Sequence, residues 1–170
     1  MPNLAPAEPL DFELASRLGR IVVRWASLEY WISLLLSTLL KADHGGMIVV
    51  TNSVAVSVQS KWIRILLAGH AHEGEQNKRV VQLLDRADDL RAERNELVHG
   101  IWEPGHEAHT AQVQTANLDR AEIIRTRLVT IRDLDELLDE INEWISDYIE
   151  LGRELGFPRR PGEAQSILAD

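Results

Sequence analysis

The chain has 170 residues, 45% of them hydrophobic and 26% charged, with a net charge of −9 and no cysteine. That length fits one domain with a real core, and the composition is that of an ordinary globular protein rather than a disordered or membrane-embedded one. The lack of cysteine excludes disulfides and thiolate metal sites and fits a cytoplasmic protein.

Pro2, Pro6 and Pro9 mark residues 1–10 as a flexible arm, and no basic segment followed by an apolar one suggests a secretory signal. Asp11 is placed to cap a first long helix from about residue 12 to 41. Its apolar stripe reads Leu18, Val22, Trp25, Glu29, Ile32, Leu36, Leu39, with more apolar residues on the flanks, the pattern of a central helix. The most apolar window, 25–40, is interrupted by Glu29 and is too short to span a bilayer, so no membrane association is expected.

His44-Gly45-Gly46 is expected to end that helix, and Met47 to Val50 reads as a short β-prone piece. A second helix follows over about 53–68 with Trp62, Ile63, Leu66 and Leu67. After a polar loop at 70–75, a third runs from near Gln76 to His99, with Gly100 as its stop. Pro104-Gly105 then marks a turn, Ala111 to Thr115 alternates in the manner of a strand, and 121–127 is ambiguous between helix and strand. Thr130 and Asp133 open a last helix to about Leu155, with Leu134, Leu137, Leu138, Ile141, Trp144, Ile145 and Tyr148 as its apolar positions. All six prolines lie outside these helices. The expected fold is all-α: a bundle of four to five helices over 11–155, with a small β-hairpin or irregular excursion after the third helix and a flexible tail at 156–170.

The charge is unevenly distributed. Residues 133–150 carry eight acids and no base, whereas residues 1–132 carry 16 acids and 15 bases. The acidity therefore belongs to one late helix and reads as a solvated face, leaving room for a local basic cleft elsewhere.

The third helix ends in Arg94-Asn95-Glu96-Leu97-Val98-His99. Its apolar stripe runs Leu83, Ala87, Leu90, Arg94, Leu97, Ile101, so the arginine stands where the period calls for an apolar side chain. A guanidinium there must be paired, lie in an interface or line a cleft, because burying it alone is prohibitively costly. Asn95 and His99 are four apart and share a face, while Arg94 and His99 are about 140° apart on an ideal helix. Glu29, the only acid between Glu13 and Asp43, is the natural partner for Arg94 or Arg91.

Arg94-Asn95-x-x-x-His99 closing the third helix of an all-α bundle resembles the signature of the HEPN superfamily, many of whose members are metal-independent endoribonucleases, including toxins of toxin–antitoxin and phage-defence systems. The resemblance covers the six-residue motif and the helix order around it. It implies a homodimer whose two third helices face each other, joining both Arg-His pairs in one cleft that takes RNA, with an antitoxin protein as a further partner. In that setting His99 is the acid or base, Arg94 the phosphate clamp, and Asn95 orients one or the other. Glu29, Arg91 and Trp102 are supporting residues, with no metal or cofactor. The chemistry stands on its own terms. RNA carries its own nucleophile, a histidine can move a proton near neutral pH, and an arginine fork can stabilise a phosphorane-like transition state.

Other candidates read blandly. His70-x-His72 and His106-x-x-His109 lie in polar loops without a supporting acidic cluster, so no metal site is expected. Trp25, Trp62 and Trp144 fall within apolar helical patterns and are expected in the core, leaving Trp102 as the tryptophan near a cleft. Arg120, Arg125, Arg127 and Arg132 form the densest basic stretch, read either as a phosphate-contacting rim or as a solvated face. Two readings compete with the nuclease: a non-catalytic module of the same type that binds nucleotide or a protein partner, and a structural dimerisation bundle in which Arg94 forms a salt bridge and His99 caps its helix.

Overall fold

A computed structural model describes residues 10–42, 44–69, 74–117 and 122–155. Among these, the chain order is α1 (Phe12–Leu39), α2 (His44–Ser53), α3 (Val56–Gly69), α4 (Glu75–His99), β1 (Ile101–Pro104), β2 (Thr110–Asn117), β3 (Glu122–Thr130) and α5 (Ile131–Glu154). The protein is mostly helical with a small antiparallel sheet, as its pattern predicts. The expected arm at 1–10 and tail at 156–170 lie almost wholly outside the described residues, as do His70, His72 and Arg120.

The helix boundaries follow from local chemistry. The Asp11 carboxylate accepts from the amides of Glu13 at 2.8 Å and Leu14 at 3.3 Å, so it caps α1 as expected. The other end differs from expectation. Lys41 takes a left-handed φ of 52°, its amide donates to the Thr38 carbonyl, and the Ala42 amide reaches back to Ser37. This is a Schellman-type stop built on lysine, upstream of the glycines. His44-Gly45-Gly46 instead opens α2, and the β-branched piece after it is helical, not extended.

At the start of α5, Thr130 and Asp133 form a reciprocal capping box. Thr130 donates through its amide and its hydroxyl to the Asp133 carboxylate, each at 2.7 Å, and the Asp133 amide donates back to the hydroxyl at 3.3 Å.

The chain divides into two compact units, the first Met1–Arg24 with Leu90–Ile141, the second Trp25–Asp89 with Asn142–Asp170. The first holds the sheet, ordered β1-β2-β3, with Trp102 opposite Val113 and Val113 opposite Arg127. Period-two alternation puts Ala111, Val113 and Val129 on the buried face, while Ile101 and Leu128 are exposed on the other. The predicted excursion is thus a three-stranded meander, and Ile101, taken as a stripe residue of the preceding helix, belongs to β1. The buried side of α1 here is Leu14 and Ile21; Val22, expected on the stripe, is 39% exposed. Arg17 Nε donates to Asp135 at 3.0 Å, joining α1 to α5 within this unit.

In the second unit, buried Trp144 donates its indole N–H to the Leu83 carbonyl at 2.7 Å and stacks on Tyr148, which also meets Trp31. The α3 helix buries Gln59, Ser60, Ile63 and Leu67. Trp62, expected in the core, is 41% exposed and lies on an outer stripe with Val58 and Ile65. Among the described residues no helix is long and apolar enough to cross a membrane.

The capping box has a pH signature. Partial burial pushes the Asp133 carboxyl up, but the Thr130 hydrogen bonds and the nearby Arg127 outweigh it and hold it below its ordinary value of 3.8. The folded state therefore binds this proton less readily than the unfolded chain. Its contribution is complete above the ordinary value and is lost as pH falls through the lower folded one. Urea unfolding of Thr130→Ala at neutral pH should show a loss of about 1 kcal/mol. Asp133→Asn should remove part of the acid dependence; a full acid limb in that variant would exclude the cap as its source.

Candidate functional site

The Arg-Asn-His motif occupies the last two turns of α4, within the first unit. Arg94 is half-buried between buried Leu90 and Leu97 of the same stripe. Its Nη1 donates to Oδ1 of Asn95 at 2.9 Å, so the asparagine does hold the arginine. Because side chains of consecutive helical residues diverge by about 100°, this bond draws the guanidinium along the helix surface rather than straight inward. Arg91, one turn earlier, is half-buried as well, and His99 is exposed as the last helical residue.

Two features hold the end of α4. Trp102 Nε1 donates to the carbonyl of Leu97 at 2.7 Å, satisfying one of the orphan acceptors of the last turn and tying β1 to the helix. Gly100 carries the second. It follows the helix as expected, but not as a left-handed cap, since its φ lies outside that region. A Cβ there would come within 2.3 Å of Val113 Cγ1 and 2.7 Å of the Glu96 carbonyl. Glycine is required because the middle strand passes directly over the helix end.

One further contact was not legible in the motif. Arg127 on β3 donates to Glu93 on α4 at 3.0 Å, beside Arg94 in sequence, and reaches Asp133 at 4.0 Å. Nothing in the spacing of Glu93 and Arg127 announces a pair 34 residues apart. Arg132 is likewise paired, with Glu136 at 2.7 Å. Of the basic stretch, read either as a phosphate-contacting rim or as a solvated face, Arg127 and Arg132 are engaged by acids, and Arg125 is exposed.

Glu29 belongs to the second unit. Its Oε1 accepts from the Trp25 indole N–H at 2.7 Å. It lines a cleft of about 410 Å³ with Ala26, Tyr30 and Ser33 of α1, residues 53–56, and Gln59 of α3. Sequence reasoning did not single out Ser33 or Gln59; two polar residues recurring inside apolar helical patterns were the available signal. His109, at a left-handed φ of 61° in the β1–β2 turn, lies 3.3 Å from Asp11, and among the described residues no group of three or more His, Cys, Asp or Glu is set to hold a metal.

Compared with protein-family models, with curated proteins and with solved structures, the chain matches none. The chemistry of the site must therefore be read from its own residues.

Gly100→Ala should destabilise the protein by about 1–3 kcal/mol, since Val113 and the helix end must shift to admit the methyl group. Chemical unfolding measures this, and a variant as stable as the parent would mean that β2 does not pack over the helix terminus.

Proposed function

We propose that this chain is a metal-independent endoribonuclease of the HEPN type, acting as a homodimer in the cytoplasm as a toxin or defence effector, with an antitoxin protein as its natural partner. What carries the reading is the end of α4, where an exposed histidine closes the helix and a half-buried arginine bonds to the adjacent asparagine. Exposed His99 is accessible to a substrate proton, and Arg94 offers guanidinium donors in a fixed plane.

In the proposed reaction the 2′-hydroxyl of RNA loses its proton to one His99 and attacks the neighbouring phosphorus. The P–O5′ bond breaks, and the departing 5′-oxygen takes a proton from the His99 of the second copy. The products are a 2′,3′-cyclic phosphate and a 5′-hydroxyl. Arg94 stabilises the charge that builds on the non-bridging oxygens, a role worth orders of magnitude when the donor is preorganised. Asn95 keeps the guanidinium in place, and Trp102 supports the helix end through Leu97.

Purified protein incubated with mixed RNA in EDTA should leave 2′,3′-cyclic ends. His99→Ala and Arg94→Ala, checked for fold, should each lose about 100-fold or more in rate, and Asn95→Ala should lose less. Folded protein that cleaves no RNA, or variants that cleave as well as the parent, would overturn the reading in favour of a non-catalytic module.

A further inference from the structure

The cleft in the second unit has the features of a ligand site. At about 410 Å³ it falls in the size range of small-molecule pockets, about 300–1,000 Å³. The polar groups at its base are committed to one another. Buried Gln59 donates through Nε2 to the Val54 carbonyl at 2.7 Å and accepts from the Ser33 hydroxyl at 2.8 Å, and that hydroxyl also lies 2.9 Å from the Glu29 carbonyl. This network fixes the chain around Val54 against α1 and leaves little hydrogen-bonding capacity for an occupant.

The Glu29 carboxylate is different. Its one described partner is the neutral indole of Trp25, which orients Oε1 without cancelling the charge. A carboxylate with one oxygen so occupied suits a single strong donor better than a two-pronged one, favouring an ammonium over a guanidinium. Tyr30 stands beside it on the same wall, its ring held edge-on to Trp31 with centroids 5.4 Å apart, and an aromatic face attracts a cation. Ala26, Val54 and Val56 supply apolar surface for an organic body. A metal ion would need several oxygen ligands, and the cleft brings one carboxylate.

We propose that this cleft binds a small organic ammonium compound, with Glu29 as its counter-ion and Tyr30 as its aromatic wall. The test follows the Trp25 indole N–H in nitrogen-15 correlation spectra of the full chain during titration with putrescine at physiological salt, the peak being assigned with Trp25→Phe. The expected result is a saturable shift of that peak and of the amides around Val54, with no response to the uncharged analogue 1,4-butanediol. Glu29→Gln keeps an oxygen for the indole and should weaken binding about tenfold or more. Ala55→Trp, which fills the cleft from its exposed rim, should block it without touching Glu29 and serves if Glu29→Gln fails to fold. No movement of the Trp25 peak, an equal response to the diol, or unchanged affinity in the folded variants would overturn the proposal. Putrescine held loosely by the acidic surface would survive both substitutions and so counts against it.

Discussion

At Gly100 a single added carbon would lie 2.3 Å from Val113, so the end of α4 and the middle strand of the sheet can coexist only because that carbon is absent. This close passage governs what surrounds the motif. It lets the chain turn from helix into β1 without a left-handed residue and sets Trp102 to donate to the Leu97 carbonyl. His99 is left as the last, exposed helical residue. The Arg127–Glu93 bond then ties β3 to the same helix one turn back. Exposed ion pairs are worth little singly, and this one is only about one-third exposed on each side, so its larger effect is on position.

The acidic run of α5 is less bare than its composition implies. Asp135 is met by Arg17, Asp147 and Glu143 by Arg86, and Glu136 by Arg132, and just past the run Glu154 is met by Arg79. The arginines come from α1, from α4 and from α5 itself, and each pair stays within one compact unit. The field of the helix is thereby reduced locally, which no count of acids and bases along the sequence could reveal, since most of the partners are far away in the chain. A net charge of −9 consequently says little about the potential at the end of α4.

Where local chemistry decides the structure, the sequence is legible. Asp11 and the Thr130–Asp133 box mark helix starts because a cap is a contact between near neighbours, and the α4 stripe from Leu83 to Leu97 reads correctly because burial enforces the helical period. The failures are those of context. Residues 44–53 combine two glycines with a β-branched run, both poor helix formers, yet they form α2. The α3 helix carries two stripes, and the one that is buried includes Gln59 and Ser60, whereas the more apolar one with Trp62 faces outward. Hydrophobicity alone finds Ile63 and Leu67 on the buried side but misplaces Trp62 and misses Gln59, because the Ser33–Gln59–Val54 network that makes the polar positions buriable spans three segments. The sequence left open whether Asn95 meets Arg94 or His99, and the hydrogen bond goes to Arg94. The role of Gly100 was half legible: its place as a stop could be read, but its reason lies in a strand 13 residues away.

Helical geometry also bears on how the proposed chemistry would be divided. Arg94 and His99 are separated by about 140° around α4, but Asn95 lies between them in angle and shares a face with His99. The bond from Arg94 to Asn95 therefore draws the guanidinium towards the histidine's side of the helix. One copy can thus present the proposed phosphate clamp and a histidine on the same side, with the Trp102 and Gly100 contacts holding the turn that carries the histidine. What one copy of the motif does not supply is a second histidine. The proposed reaction needs a base for the 2′-hydroxyl and an acid for the departing 5′-oxygen, and it is this second proton-transfer group that the proposed dimer adds.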